Sequence, residues 1–550
     1  MKKLLFILSI FFIGQINAQN WAWAKDAGGS SGEGWSVATD NFGNVYVTGM
    51  YNSLITFGTY TLTDTHNPTF NVFFAKYDVA GNLLWAKSSD GIGNAWCNSI
   101  STDKSGNFYL TGYYSHFITY GNDTLTNITN GSAIFLVKFN SSGNVIWKRS
   151  IGGTNTDEGF SVTTDASNNV YVTGKFTSPS ITFGTYTLNA VGTQDIFLAK
   201  YDSTGTVLWA KGICASGSNT NQGNCVTTDA FKNVYITGQF SSNNLNLGTY
   251  TVTNTSIGVT DVFVAKYDSL GNNLWAKSFG GGKNDKGLSL VTDISNNLYV
   301  TGGFASASCT VGTYTISNPN SGFYNDIFLV KYNTTNGNVF WAQRAGGPLE
   351  DIGYSLARDP YNNLYLSGGF ASTYCAFGSD TLFHPSTGSD PMFIAKYNSS
   401  GVIQCLSALS SGGDDNNAVA TDTLGNAYIV GDYYDSKFIV GNDTLIESAP
   451  GDEDFFIAKY FCSMGDGISE YTSKLKINVF PNPTNDQFVI ETNATEKLKV
   501  DLYDVNGRHV FSASINDKSN INVATLDNGI YTLTIKSVDG VTNKKLVIAR

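Results

Sequence analysis

The chain has 550 residues, with 58 Gly, 30 Tyr and 35 Phe but only 14% charged residues. Its formal net charge of −11 at pH 7 gives no electrostatic reason to bind nucleic acid or an anionic membrane surface. Glycine combined with aromatic and β-branched residues is typical of many short strands and tight turns, and the absence of helical periodicity excludes solenoids of paired helices.

The amino terminus has the pattern of a secretory signal peptide. Lys2 and Lys3 give a short basic start, residues 4–13 are apolar, and the small residue Ala18 lies at the expected cleavage point. We therefore predict a signal peptide over residues 1–18. No later stretch approaches the roughly 20 apolar residues of a membrane-spanning helix, so we expect the mature chain to be exported without a transmembrane segment.

From residue 19 onward the sequence repeats itself. An aspartate is followed at fixed offsets by Asn, Tyr, Gly and an aromatic residue, as in Asp40, Asn44, Tyr46, Gly49 and Tyr51. Each unit reads as four strands in meander order, which is one blade of a β-propeller. The pattern predicts a seven-bladed β-propeller over residues 19–462. The aspartates of its seven units are Asp40, Asp103, Asp165, Asp229, Asp293, Asp359 and Asp422.

The turn after each aspartate has its own signature. We expect the residue just before the repeated Asn to adopt positive φ, where a Cβ is costly, and the aspartate to cap the turn. Lys232 stands at this position in one unit and should be slightly strained. The other units have Gly43, Gly106, Asn168, Asn296, Asn362 and Gly425.

The phase of the repeat predicts how the ring closes. The seventh unit stops after its third strand, whereas Trp23, Ala24 and Lys25 near the amino terminus match the fourth-strand residues Trp85, Ala86 and Lys87. We therefore expect residues 21–27 to form the outer strand of the seventh blade, which removes two exposed sheet edges.

These units resemble the β-propeller repeats (SBBP-like) of bacterial surface and secreted proteins. The resemblance covers about residues 21–461 and implies the propeller fold; function must be argued from a site, because propellers host many activities. The residues that carry the resemblance are Gly152, Gly153, Asp157, Asp165, Asn169, Tyr171 and Gly174.

Beyond residue 462 the period disappears. A polar linker over residues 463–473 and a small Ig-like β-sandwich over residues 474–550 are expected. Its notable residues are Pro481, Asn482, Pro483, Gly507, Gly529, Tyr531 and Lys545. With these residues the second domain resembles the type A C-terminal sorting domain of the type IX secretion system of Bacteroidota.

The sorting-domain resemblance has consequences for localisation. It implies that the type IX secretion machinery is a partner, that the protein crosses the outer membrane, and that the sorting domain is then removed. The mature protein is then released or attached to surface lipopolysaccharide, so we expect a secreted or cell-surface location.

The sequence contains no recognisable catalytic set. The four histidines, His66, His116, His384 and His509, lie in unrelated stretches, and no Ser-His-Asp or Cys-His pattern connects them. No phosphate-binding or dinucleotide-binding motif is found. We therefore predict no catalytic residues and no organic cofactor, and leave the enzyme question open.

Acidic residues recur in the loops between units. In propeller geometry these loops surround the central channel on one face, so their carboxylates form a candidate ring for Ca²⁺ or a cationic group. Alternatively, each carboxylate caps its own glycine-rich loop. The candidate residues are Glu33, Asp157, Asp285, Asp351, Asp414 and Asp415.

The seven cysteines are an odd number, so at least one is unpaired or pairs outside the chain. Cys214 and Cys225 lie close in sequence across one predicted loop and are a candidate disulfide. The alternative is that all seven are small apolar residues of the interior.

The main functional hypothesis is a secreted or surface-displayed binding or scaffold propeller whose ligand is a glycan, a surface polymer or a protein. A second hypothesis is a hydrolase or lyase that acts on polysaccharide. A third, suggested by the near-uniform repeats, is a structural protein of the envelope.

Overall fold

The computed structural model describes residues 21–66, 69–217, 220–320, 323–384, 390–409, 418–449, 451–462, 477–492, 497–504, 509–516, 518–537 and 540–550. The chain divides into two compact units, Met1–Cys462 and Ser463–Arg550. The all-β prediction is confirmed: the described residues form strands and turns without a helix. Accordingly, this part of the chain offers no apolar helix of membrane-spanning length.

The first unit is built from four-stranded antiparallel sheets in meander order, numbered here 1 to 7 along the chain. Their inner strands contact one another in a closed circle, which is the arrangement of a β-propeller. From inner to outer, the strands are Glu33–Thr39, Val45–Asn52, Phe70–Tyr77 and Leu83–Ser88 (sheet 1); Ala95–Thr102, Phe108–Tyr114, Ala133–Phe139 and Val145–Ile151 (sheet 2); Asp157–Thr164, Val170–Phe176, Asp195–Tyr201 and Val207–Ile213 (sheet 3); Gln222–Thr228, Val234–Phe240, Asp261–Tyr267 and Asn273–Phe279 (sheet 4); Asp285–Thr292, Asn297–Phe304, Asp326–Asn333 and Val339–Gly346 (sheet 5); Asp351–Arg358, Leu364–Phe370, Met392–Tyr397 and Ile403–Leu409 (sheet 6); Ala418–Thr421, Ala427–Tyr433, Asp454–Tyr460 and Trp21–Gly29 (sheet 7).

The outer strand of sheet 7 comes from the amino-terminal end of the described chain. Trp21–Gly29 runs antiparallel to Asp454–Tyr460, with Trp23 opposite Lys459 and Ala27 opposite Phe455. In sheet 1, Trp85 lies opposite Lys76 in the same way. Sheet 7 is thus completed by residues from both ends of the propeller sequence. The amino-terminal strand covers the edge of Asp454–Tyr460 that would otherwise be exposed.

A short hairpin follows the second strand of every sheet and contacts the preceding sheet. For example, Gly29 at the end of sheet 7 pairs with Ile55 in the hairpin of sheet 1, and Gly346 of sheet 5 pairs with Ala376 in that of sheet 6. The hairpin strands are Leu54–Phe57 and Tyr60–Thr63, Phe117–Tyr120 and Asp123–Thr126, Ser180–Phe183 and Tyr186–Asn189, Asn244–Asn246 and Thr251–Thr253, Ser308–Val311 and Tyr314–Ser317, Tyr374–Phe377 and Asp380–Phe383, and Phe438–Val440 and Asp443–Leu445.

The propeller has two different faces. The turns that join the first to the second strand and the third to the fourth strand lie at one end of the sheets, here called the turn face. The links between sheets and the hairpins lie at the opposite end, here called the connection face. Because sequence varies most in the links, the connection face differs most from sheet to sheet.

The core lies between neighbouring sheets. Every residue of the third strand Asp195–Tyr201 is buried, because this strand is covered by a sheet on each side. One apolar cluster between sheets 2 and 3 contains Tyr109, Trp147, Val172 and Phe197. Burying each large side chain of this kind contributes about 1.5–3 kcal/mol, so stability is distributed around the whole circle.

The predicted turn chemistry is confirmed. Asp165 Oδ1 accepts the N–H groups of Ser167 and Asn169 at 2.8 and 3.0 Å, and Asn168 has a φ of 60°. Lys232 has a φ of 66°, a region that disfavours a residue with a Cβ. The other five turn residues also have positive φ: Gly43, Gly106, Asn296, Asn362 and Gly425.

The candidate disulfide between Cys214 and Cys225 is not formed, because both are free thiols. The disulfide instead joins Cys405 to Cys462, with the Cα atoms 5.9 Å apart. Cys405 lies opposite Lys396 in the outer strand of sheet 6, the position that tryptophan occupies in the other six sheets. The alternative that all seven cysteines are apolar fillers is also wrong.

The second unit is a small β-sandwich. Its three-stranded sheet contains Ile477–Phe480, Gln487–Thr492 and Lys518–Asn522, and its four-stranded sheet contains His509–Ile515, Leu498–Tyr503, Gly529–Ser537 and Gly540–Ile548. The two sheets share one apolar core that includes Phe488, Ile490, Val500, Leu533 and Leu546. The predicted signal peptide and the linker over residues 463–473 lie outside the described residues.

Candidate functional site

The most regular polar network in the propeller is structural. In sheet 3, the Tyr171 hydroxyl donates to Asp165 Oδ2 at 3.1 Å, and Lys200 Nζ lies 5.1 Å from the centre of the Tyr171 ring. Lys200 also donates to the Ser269 carbonyl of the next sheet at 2.9 Å. The Tyr–Asp hydrogen bond recurs within six of the seven sheets, so it is part of the repeat and does not mark one binding site.

The central channel, of about 450 Å³, is lined by residues from all seven inner strands. Serine hydroxyls accept hydrogen bonds from the backbone of the next sheet, as from Val162 N–H to Ser99 Oγ at 3.2 Å. Threonines near the turn face donate to the previous sheet, as Thr164 Oγ1 does to the Thr102 carbonyl at 2.9 Å. These hydroxyls are already used between sheets, so the channel wall is mainly a set of inter-sheet contacts.

The predicted acidic residues of the connection face are bound within their own sheets. Asp157 is fully buried and accepts hydrogen bonds from Gly153 N–H at 2.8 Å and from Ser178 Oγ at 2.7 Å. Asp285 accepts from Ser306 Oγ at 2.8 Å. Asp351 accepts from Gly347 N–H and Ser372 Oγ. This geometry matches the alternative interpretation of local caps.

The structure does not assemble the candidate acidic ring from its described members. Glu33 does not hold the position of Asp157. Gly34 and Gly159 hold equivalent positions before a β-bulge, but Glu33 lies one residue before Gly34, whereas Asp157 lies two residues before Gly159. Successive side chains of a strand point to opposite faces, and Glu33 instead accepts from Trp35 Nε1 at 3.1 Å. Asp414 and Asp415 lie outside the described residues.

The buried cap of sheet 6 yields a prediction about pH. Burial, reinforced by Asp326, raises the pKa of Asp351 to about 7, above the value of ~3.9 for an unfolded aspartate. The stability contribution of this group is therefore fully present below pH ~4 and is lost as the pH rises through 7. Asp351→Asn introduces asparagine, the residue that sheet 4 has at the equivalent position, Asn221. This variant should lose the pH dependence of stability.

From pH 4 to pH 8, the free energy of unfolding of the wild type should fall by on the order of 3 kcal/mol relative to that of Asp351→Asn. Chemical denaturation at both pH values measures it, with the exposed Asp380→Asn as control. Parallel pH profiles for wild type and Asp351→Asn would contradict the account.

A polar cleft of about 950 Å³ lies on the connection face around sheet 4. It is bounded by the link from sheet 3, the hairpin region of sheet 4 and the link to sheet 5. Its described lining contains hydroxyl and carboxamide side chains, one lysine and the exposed Ile257, and no Asp, Glu or His. The lining residues are Ser216, Gly217, Thr220, Gln239, Ser241, Ser242, Asn243, Asn244, Ile257, Gly258, Thr260, Asn284 and Lys286.

The cleft lies where the repeat departs from its usual cap. Sheets 3, 5 and 6 pair a buried aspartate with a serine, whereas sheet 4 has Asn221 and Ser242 at these positions. The Ser242 hydroxyl and Asn221 Nδ2 are buried without a hydrogen-bond partner among the described residues. Gln239 and Lys286 likewise make no side-chain hydrogen bond to any described residue. The cleft therefore offers donors and acceptors that the fold does not use.

The turn face has a different surface. Large apolar residues project from the innermost turns of five consecutive sheets, in sheet 5 from one position earlier in the turn than in the other four. Ser105 and Ser167 take this place in sheets 2 and 3. Phe42 lies over Gly106 of the next sheet, and Tyr361 lies over Gly425. This apolar crescent consists of Phe42, Phe231, Ile294, Tyr361 and Leu424, which are 69–73% exposed.

The four histidines do not form a catalytic set with serine or cysteine in the described residues. His116 is exposed with a φ of 61°, and His384 packs edge-on against Phe370. In the second unit, His509 Nε2 lies 3.1 Å from Asp501 Oδ1. His66 lies beside Asp64 and Asp90, a cluster that the sequence did not suggest because Asp90 comes from a separate segment, the link that leads to sheet 2.

The predicted sorting residues hold the second unit together. Asn482, which lies between Pro481 and Pro483, accepts the Val547 N–H at its Oδ1 at 2.8 Å. Tyr531 donates to the Asp527 carbonyl at 2.8 Å. Gly529 begins a strand that pairs with Gly540–Ile548, which contains Lys545. Gly507 lies outside the described residues.

Comparisons with known proteins give distant likenesses for the propeller. The chain is 24% identical over 545 residues to an uncharacterized WD repeat-containing protein of Acanthamoeba polyphaga mimivirus, covering 80% of this chain and 38% of that protein. A 111-residue stretch is 32% identical to the regulatory protein FlaEY of Caulobacter vibrioides, covering 20% of this chain and 12% of that one. The chain thus spans less than half the length of either relative.

Matches among solved structures are of low similarity. A protein of unknown function from Dyadobacter fermentans has a TM-score of 0.37 and 8% identity, covering 67% of this chain and 95% of its own. A polysaccharide lyase, an ulvan lyase, has a TM-score of 0.37 and 9% identity, covering 75% and 92%. At these scores neither likeness enters the functional argument.

The second unit matches a known domain family. Residues 478–549 match the family of secretion system C-terminal sorting domains. This match covers the motifs that the sequence singled out and nearly all of the described β-sandwich. The chain therefore carries a secretion sorting domain behind its propeller, which supports export by type IX secretion to the cell surface or the medium.

Proposed function

We propose that this protein is an exported binding propeller that holds a glycan in the polar cleft around sheet 4. The observation that carries the proposal is the set of unused polar groups in the cleft, which comprises the side chains of Gln239 and Lys286 and, at its wall, the buried Ser242 hydroxyl. A cleft of this volume suits a small ligand or a segment of a polymer. Its hydroxyl, carboxamide and ammonium groups complement the hydroxyls of a sugar.

The lining favours binding over hydrolysis. Most glycoside hydrolases place two carboxyl groups on either side of the bond that they cleave, whereas the described lining of this cleft has no carboxylate. Exposed Ile257, which is 85% exposed, adds an apolar surface against which a sugar ring can pack. A surface polymer built from neutral or acidic sugars is the matching ligand class, because Lys286 supplies the one charge in the described lining.

Variants of the cleft test the proposal. A glycan array with the mature protein should reveal saccharides that bind without release of reducing ends. Gln239→Ala and Lys286→Ala should each weaken binding to these saccharides about 10-fold, since a hydrogen bond contributes about 0.5–1.5 kcal/mol between neutral groups and about 1.5–3 kcal/mol to a charged group. The control is Lys175→Ala. Lys175 holds the position in sheet 3 that Gln239 holds in sheet 4, and its side chain pairs with Glu158. Equal affinities for all variants, or turnover of the glycan, would refute a binding role for the cleft.

Export is tested separately. Removing residues 474–550 should leave a folded propeller in the periplasm, because the division between the two units falls at Cys462 and Ser463. Cell fractionation with an antibody against the propeller measures its location. Truncated protein at the cell surface would show that the sorting domain is dispensable.

The apolar crescent supports a second candidate function, the binding of a protein partner on the turn face. Aromatic residues are enriched at the centres of protein interfaces. Phe42→Ser and Tyr361→Ser, which introduce the residue of sheets 2 and 3, should then weaken partner binding by at least about 10-fold and leave glycan binding unchanged. Cross-linking on intact cells, followed by quantification of the captured partner, distinguishes the two faces.

A further inference from the structure

One non-repeating cluster lies on the connection face between sheets 1 and 2. Asp64 and His66 follow the hairpin of sheet 1, and Asp90 follows the outer strand Leu83–Ser88 of the same sheet. Asp90 is anchored to the hairpin of sheet 2, where its backbone N–H donates to the Thr119 carbonyl at 3.0 Å. The ligand atoms of the three side chains all lie within 4.8 Å of one another, the only such group of His, Cys, Asp or Glu in the described residues.

The repeat does not require these residues. The structural equivalents of Asp64 in sheets 2, 4 and 5 are Asn127, Asn254 and Asn318, which occupy the same backbone hydrogen-bond position. The equivalents of Asp90 at the outer-strand bridge are Gly28, Gly346 and Cys214. Two carboxylates thus stand at this junction where the compared sheets have neutral residues.

The three side chains are held in place by their surroundings. Asp64 is 6% exposed and accepts the His66 N–H at 2.8 Å and the Thr69 hydroxyl at 3.0 Å. The His66 ring stands edge-on to Phe117, with 6.0 Å between ring centres. Asp90 Oδ2 accepts the Thr65 hydroxyl at 2.6 Å. Such contacts to the ligating side chains fix their orientation for an ion.

The donor set selects the class of ion. His66 Nδ1 and Asp90 Oδ1 lie 3.1 Å apart, close to the ~3.3 Å that separates two ligands of a tetrahedral Zn²⁺ at bonds of about 2.0–2.1 Å. A nitrogen ligand with two carboxylates suits Zn²⁺, whereas Ca²⁺ takes oxygen ligands in larger number. We propose that Asp64, His66 and Asp90 form a Zn²⁺-binding site that ties the hairpin of sheet 1 to the start of sheet 2.

Titration calorimetry of the untagged, chelator-stripped full mature chain with ZnCl₂ tests the site. The wild type should bind one Zn²⁺ per chain, and CaCl₂ should give no saturable heat. His66→Ala should abolish binding. Asp64→Asn and Asp90→Gly should each weaken it at least about 10-fold, and both carry residues that the repeat itself uses at these positions. The control His116→Asn changes an exposed histidine outside the cluster and should bind as the wild type does.

Thermal melts in chelator establish that the variants fold. Asp64→Asn should melt at the wild-type temperature without metal, and only the wild type and His116→Asn should gain stability when Zn²⁺ is added. The proposal is overturned if the wild type shows no saturable one-to-one uptake, if His66→Ala titrates like the wild type, or if Ca²⁺ binds in place of Zn²⁺.

Discussion

Deletion of residues 21–27 is expected to lower the melting temperature of the propeller by at least about 10 °C. This segment supplies the outer strand of sheet 7, where Trp21, Ala24 and Ala27 are buried. Trp21 also contacts Tyr460, with 4.9 Å between ring centres. Loss of one large buried side chain costs about 3–5 kcal/mol, and the deletion additionally exposes the edge of Asp454–Tyr460. Differential scanning calorimetry of the mature protein measures the change.

A synthetic peptide of residues 19–30 provides the control. Because the deletion leaves an open edge of known register, the peptide should bind to it and restore much of the lost stability, whereas a scrambled peptide should not. An unchanged melt of the deleted protein would show that sheet 7 does not need this strand.

The second large effect is expected from the disulfide. Cys405 and Cys462 are 57 residues apart in sequence, and a cross-link over a loop of this length stabilises by about 4 kcal/mol in the chain-entropy model. The double variant Cys405→Ser/Cys462→Ser should therefore unfold at clearly lower denaturant concentration than the wild type under oxidising conditions.

Reduction supplies the internal comparison. A phosphine reductant should lower the unfolding midpoint of the wild type to that of the double variant and leave the midpoint of the double variant unchanged. Cys214→Ser, which changes a free thiol, should retain the wild-type response. If reduction has no effect on the unfolding midpoint of the wild type, the cross-link does not contribute to the closure of sheets 6 and 7.

The regular part of the fold was readable from the sequence because local chemistry repeats. Asp165 and Asn169 specify a turn through contacts within five residues, and the same pattern marks each unit. Positive φ at Lys232 followed from its place in that pattern. Trp23 and Trp85 each lie opposite a lysine of the neighbouring strand. The sequence indicated their equivalence, because Ala and Lys follow each of them.

Contacts between distant segments were not readable. Cys405 pairs with Cys462 across the boundary of two sheets, whereas the closer spacing of Cys214 and Cys225 pointed to the wrong pair. The register of Glu33 was also missed, because a shift of one residue in a strand reverses the side chain. Asp157 finds its partner Ser178 21 residues away, beyond the end of the second strand of sheet 3, a contact that the turn chemistry of the sequence does not indicate.

The candidate sites were missed for a related reason. The cleft combines links from sheets 3, 4 and 5, and its main signal is a departure from the repeat, with Asn221 where Asp157, Asp285 and Asp351 stand elsewhere. Such a departure is visible in the sequence only once the structure shows which positions are equivalent. The cluster of Asp64, His66 and Asp90 has the same character.

Hydrogen–deuterium exchange tests the central claim, that the ligand occupies the cleft around sheet 4. The mature protein would be measured with and without the strongest saccharide from the array. The account predicts protection in residues 216, 217, 220, 239–244 and 257–260, and unchanged exchange in the turns that contain Phe42 and Tyr361. Protection confined to the turn face, or to the central channel, would contradict it.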